Sequence, residues 1–243
     1  MLKRILFIIF LPIILGYTLF AVFYFPRLPD NTICNELSVS VSGSEKNPLI
    51  TKESILSSLK NAKCNPLGKQ ISSINTEEIE QFIEQNQLVK DVVVFHSVTG
   101  RLSVSVLQRE PLFRVMGESG NFFVDRDGAI MPVQHNFVAK LPIVSGYVEK
   151  SFASNELRNF VLYLQDNEFW NQQIEQIYVL PDHDVELIPK VGNHRIVMGT
   201  LSDADKKLSR LMKFYQKGLN EIGWNRYSVL NLKYDKQIVC TKK

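Results

Sequence analysis

The stretch Val92-Val93-Val94-Phe95-His96-Ser97-Val98-Thr99-Gly100-Arg101-Leu102-Ser103-Val104-Ser105-Val106 joins two kinds of strand. Its first half is a continuous β-branched and aromatic run, and its second half alternates apolar residues with serine at period two. Thr99-Gly100 lies between them as a turn, so the segment from Val89 to Val106 predicts a β-hairpin.

Working back toward the N-terminus, Leu37, Val39 and Val41 alternate with Ser38, Ser40 and Ser42, the signature of another half-buried strand. Thr51 is placed to cap a helix that carries Ile55, Leu56 and Leu59 on one side, and Pro66 and Gly68 break the chain after it. Asn75 with Glu78 three residues on has the spacing of a capping box, which opens a second helix with Ile79, Phe82 and Ile83 inward. The order strand, helix, helix, strand, strand predicts a small α+β unit with both helices on one face of a short sheet.

Beyond Val106 the chain stays extended through Arg109, Glu110 and Pro111, and Pro111 marks where pairing to the first sheet must stop. Asn121 to Val124, the turn Asp125-Arg126-Asp127-Gly128 and Ala129 to Val133 then read as a second hairpin. Leu141-Pro142-Ile143-Val144-Ser145-Gly146 predicts a short strand and turn. Leu157, Phe160, Val161 and Leu164 give helical spacing over 155–167, and strands are expected at 174–180, 184–188 and 195–198. Asp203 stands where it can cap a long helix whose apolar stripe is Leu208, Leu211, Met212, Tyr215 and Leu219. Lys206, Arg210, Lys213 and Lys217 form a basic row on that helix, the pattern of a solvated face rather than of a contact with anionic lipid or glycan. The final segment, Tyr227 to Cys240, turns near Asp235-Lys236 and predicts an edge strand, whose unpaired backbone groups can take up a partner chain.

Ile5 to Phe25 runs about twenty residues without a charge, matching the thickness of a bilayer core, with Lys3 and Arg4 ahead of it. The reading is a single transmembrane helix with the N-terminus cytoplasmic and the body outside. A cleaved signal peptide fits less well, because the run exceeds a usual apolar core and no small-x-small site follows. The 28 basic and 25 acidic residues leave a net charge of +3, which does not point to a nucleic-acid partner. Cys34, Cys64 and Cys240 fall in the part assigned to an oxidising compartment; Cys34 and Cys64 either bridge or stay as buried thiols, and one cysteine is left over.

Signals of catalysis are sparse. His96, His135, His183 and His194 are scattered, with no zinc-protease or serine-hydrolase motif and no phosphate-cradling glycine loop, and no cofactor or small-molecule substrate is implied. Pro181-Asp182-His183-Asp184 is a candidate metal cluster, though such residues between strands are the ordinary makings of a polar turn. A membrane-anchored hydrolase acting on cell-wall material is the alternative function, and this cluster would have to be its site.

The small unit resembles a POTRA domain, and its exit Val104-Ser105-Val106-Leu107-Gln108-Arg109-Glu110-Pro111 is similar to the corresponding stretch of the bacterial cell-division family FtsQ/DivIB. Phe123-Val124-Asp125-Arg126-Asp127-Gly128 and Leu141-Pro142-Ile143-Val144-Ser145-Gly146 resemble two further elements of that family, as does the order of the last strands and helix. Residues and resemblance together give an α+β chain with a tail at 1–4, shorter than members of the family often carry, a transmembrane helix at 5–25, a linker at 26–36, a POTRA-like domain at 37–108 and a β-domain with flanking helices at 109–243. It implies a non-enzymatic scaffold of the inner membrane, its body periplasmic, that binds FtsB and FtsL and through them regulates septal peptidoglycan synthesis by FtsW and FtsI. Tyr227, Leu230, Leu232 and Tyr234, with Trp224 nearby, are the residues expected at the partner edge, the other reading being that the apolar ones face the core. Arg109 and Pro111 are expected at the joint between the domains.

Overall fold

The computed structural model describes residues 10–20, 32–43, 48–97, 99–134, 137 and 140–243. Residues 10–20 are helical (α1) and exposed. The rest of the expected span, the tail at 1–4, the connector at 26–31 and His135 lie outside the described residues. Among the described residues no helix is long and apolar enough to cross a membrane.

The N-terminal unit has the expected order: β1 (Glu36–Ser42), α2 (Lys52–Asn61), α3 (Thr76–Glu84), β2 (Val89–His96) and β3 (Arg101–Gln108). Strand β3 lies between β1, to which it runs parallel, and β2, to which it runs antiparallel. Val104 of β3 therefore faces Val39 on one side and Val94 on the other, which puts the period-two valines of three strands on one buried face. Both helices start on the residues the sequence singles out: the Ser54 N–H donates to Thr51 Oγ1 at 3.1 Å and the Glu78 N–H to Asn75 Oδ1 at 3.3 Å. Ile55, Leu59, Ile79 and Ile83 close the core over the sheet, each such side chain contributing about 1.5–3 kcal/mol by leaving water.

The C-terminal unit is a nine-stranded mixed sheet made of β4 (Pro111–Gly117), β5 (Gly120–Asp125), β6 (Ile130–Pro132), β7 (Ile143–Gly146), β8 (Ile174–Val179), β9 (Val185–Pro189), β10 (Arg195–Gly199), β11 (Tyr227–Asn231) and β12 (Val239–Lys242). Its order is β12-β11-β10-β9-β8-β7-β4-β5-β6. The parallel pairs β7–β8 and β10–β11 need long crossovers, and these are where the helices fall. The first crossover is α4, built of Lys150–Phe152, a π-helical turn Ala153–Leu157 and Arg158–Asp166, followed by α5 (Glu168–Gln173). The second is α6, made of Ala204–Phe214, a π-helical turn Tyr215–Leu219 and Asn220–Ile222. Trp170, Leu157, Leu208, Leu211 and Tyr215 from these helices fill one core with Phe113, Ile177, Leu187 and Ile196 of the sheet.

Two local features depart from expectation. Helix α4 begins at Lys150, five residues before the apolar spacing starts, and α5 follows it because Asn167 turns extended and its Oδ1 accepts the Trp170 N–H at 3.2 Å. Asp203 sits at the cap position of α6, yet at φ 52°, and its carboxylate takes Lys206 Nζ at 2.6 Å instead of a backbone N–H. The extended exit of the sequence reading becomes strand β4.

The two units meet on a buried seam. Phe123 and Met131, from the β5–β6 hairpin, belong to the core of the N-terminal unit. Arg109 sits on this seam: its N–H donates to the Leu88 carbonyl at 2.8 Å, and its Nη1 to Asp125 Oδ2 at 2.8 Å. Pro111 stands opposite Asp125 in the β4–β5 register, and Lys90 reaches Asp127 at 2.6 Å. That contact holds the Asp127 carboxyl below, and the Lys90 ammonium above, their ordinary ranges.

Candidate functional site

Strand β11 is flanked on both sides, by β10 in parallel and by β12 in antiparallel register, so the open edge belongs to β12. Tyr227 stands opposite Lys242, Val229 opposite Thr241, Leu230 opposite Cys240 and Asn231 opposite Val239. The turn between the two strands carries Lys236 at φ 60°. Among the described residues no strand pairs with the other side of β12.

This moves the edge outward by one strand and divides the expected partner residues. Leu230 and Leu232 are 0% exposed and belong to the core of the nine-stranded sheet. They are corrected from edge contacts to core residues, because the side-chain alternation that suggested an edge strand is the same on the strand beside it. Leu232 is also tied down by its backbone: its N–H donates to the Val197 carbonyl at 2.8 Å and its carbonyl accepts Arg210 Nη2 at 3.0 Å. Tyr227 is half-buried, its ring 6.2 Å from that of Phe214. Trp224 is half-buried too, with Nε1 donating to Asn220 Oδ1 at 3.0 Å and its ring 4.8 Å from that of Tyr215. Tyr234 is open, at 51% exposure, and so is Val239 on β12, which sequence reasoning did not single out.

Beside Trp224 lies a buried polar pair, His194 Nε2 and Tyr215 Oη, 2.7 Å apart. Burial pushes the His194 imidazole below its ordinary value, partly offset by the Trp224 carbonyl, and pushes the Tyr215 phenol up. Arg210 of the basic row is engaged by Leu232, and Lys206 by Asp203, while Lys213 and Lys217 are exposed.

The remaining candidates take structural places. Asp182 and His183 form a turn in which the His183 N–H donates to the Leu180 carbonyl at 3.0 Å, and Asp184 pairs with Lys233 at 2.5 Å. Among the described residues no three His, Cys, Asp or Glu side chains are grouped to hold a metal. Cys34 and Cys64 are buried free thiols of the N-terminal core, and Cys240 is a half-buried free thiol on β12. Burial pushes the Cys34 and Cys240 thiols up, away from the reactive thiolate.

Residues 110–241, from the entry to β4 into β12, match the family model described as FtsQ/DivIB, C-terminal related. The chain belongs to the FtsQ/DivIB family. Residues 32–107 of this FtsQ/DivIB-family chain match a POTRA-like domain model, and they cover the βααββ unit up to the last residue of its central β3. Among solved structures, the chain is similar to the major extracytoplasmic domain of the trans isomer of the cell-division protein DivIB from Geobacillus stearothermophilus. The two share 15% identity over 42% of this chain and 87% of that one, with a TM-score of 0.31. No curated protein sequence matches the chain.

Proposed function

We propose that this FtsQ/DivIB-family protein is a non-enzymatic scaffold of the cell-division machinery that holds partner proteins outside the cytoplasm. It sits in the inner membrane by one helix over 5–25, with residues 1–4 cytoplasmic, a POTRA-like domain at 37–108 and a β-domain at 109–243. Its partners are FtsB and FtsL, through which it regulates septal peptidoglycan synthesis by FtsW and FtsI.

The observation that carries this reading is the open outer side of β12 at the end of a nine-stranded sheet. An unpaired strand offers a row of N–H and C=O groups that an extended partner segment completes, and nearby side chains supply specificity. Tyr234 and Val239 are the exposed anchors beside that edge, and Trp224 and Tyr227 pack against the core of the β-domain.

The test is co-purification of the full chain with FtsB and FtsL, comparing wild type with Tyr234→Glu and Val239→Asp. Both changes sit on exposed side chains, so folding should be retained while partner capture falls at least about tenfold. Full capture by both variants would remove β12 as the site, and no capture by wild type would remove these partners.

A further inference from the structure

Away from the β12 edge, and sharing no residue with it, a groove of about 680 Å³ opens between α4 and the start of α6. Its apolar wall is Phe152, Phe160, Tyr163 and Leu201, with the His183 ring stacked on Phe152 at 4.8 Å and 7° between planes. His183 (φ 64°) and Asp203 (φ 52°) both line it in left-handed backbone, a conformation that the surrounding structure must hold in place.

The charge along this groove is one-sided. Glu156, Asp203 and Asp205 line it, whereas no Lys or Arg does, although the chain as a whole carries +3. Lys206 offsets the charge of Asp203 at 2.6 Å, and Lys207, still cationic, donates from Nζ to the Thr200 carbonyl at 2.7 Å, so the acidic character of the rim rests on Glu156 and Asp205. Glu156 and Asp205 form no ion pair among the described residues, and both are exposed.

We propose that this groove is a second docking site, and that its occupant is an amphipathic helix of a partner protein with apolar anchors and flanking Lys or Arg side chains. The walls are helices and loops with no strand edge, so anchoring is by side chains, as when a helix lays its apolar face in a groove. The acidic rim selects a cationic helix and repels the carboxylates of cell-wall peptides and anionic lipid headgroups, since like charges across an interface suppress wrong partners.

The probe is a fluorescent, end-capped Leu/Lys amphipathic peptide of about 16 residues, long enough to hold helix on a surface. It is titrated against the full chain in zwitterionic nanodiscs, with empty nanodiscs subtracted. Binding should weaken at least about tenfold for Glu156→Lys with Asp205→Lys, and for Tyr163→Ala, and should fall with added salt. A Leu/Glu peptide of the same pattern should not bind. The milder pair Glu156→Gln with Asp205→Asn should weaken binding in the same direction and guards against a folding defect in the charge-reversed pair. Equal binding by either charge variant, equal binding of the Leu/Glu peptide, or no binding of the Leu/Lys peptide overturns the proposal. So does a wild-type dimer that the same substitutions dissociate, because the occupant is then a second copy of this chain.

Discussion

Asp125 shows how much one side chain can carry at a seam. Its Oδ1 accepts the N–H groups of Asp127 and Ala129 at 2.9 and 2.7 Å, fixing the hairpin turn, while Oδ2 takes Arg109. The carboxylate is 2% exposed, so removing it leaves a guanidinium and two amides short of a partner. Asp125→Ala should therefore lose about 3 kcal/mol of stability by urea denaturation. His194 supplies a second prediction at this scale. Its imidazole is held neutral in the fold by burial, whereas the unfolded side chain protonates below a pH of about 6.5. The unfolded state binds the extra proton, so this contribution is present above that pH and is lost as pH falls toward the lowered folded value. A His194→Gln variant should lose less stability than wild type between neutral and mildly acid pH, read as denaturation midpoints across that range.

Among the elements, the hairpins and the caps of α2 and α3 were legible because each is set by a few adjacent residues, whereas Asp203, expected to cap α6, bonds Lys206 instead. Thr99-Gly100, Asp125 to Gly128, Thr51 and Asn75 all act within four positions of themselves. Strand neighbours were not legible: Leu230 and Leu232 alternate in the same way whether their strand is the edge or one place inside it, since alternation reports the buried face and not the lateral partner. The groove between α4 and α6 was hidden for a related reason, because its wall is assembled from segments near residues 152–163, 183 and 200–205 that only the crossovers bring together. One glycine tests the sheet directly. Gly146 ends β7 at φ 91°, and a Cβ there would stand 2.1 Å from the Val179 carbonyl oxygen on β8. Gly146→Ala should cost at least about 2 kcal/mol and separate β7 from β8, seen as faster amide exchange along both strands.

For the molecule as a whole, the β5–β6 hairpin belongs to the sheet of one unit and to the core of the other. Phe123 and Met131 thereby couple the stability of the POTRA-like unit to that of the β-domain. Wild type should melt in one calorimetric transition. Met131→Asp, which forces a charge into a site that is 0% exposed, should split it into two, the lower one being that of the POTRA-like unit.

The chain contains two tryptophans, and both fall in the β-domain: Trp170 is sealed in the core, and Trp224 is half-open against Tyr215 and His194. Trp224 lies two residues from Arg226, whose carbonyl accepts the Lys243 N–H beside the end of β12. Intrinsic emission is therefore silent for the POTRA-like unit and has its one half-open indole just ahead of β11, the strand paired to β12. A strand arriving on β12 would shift that emission without any attached dye, which gives the protein a built-in optical gauge of its own occupancy.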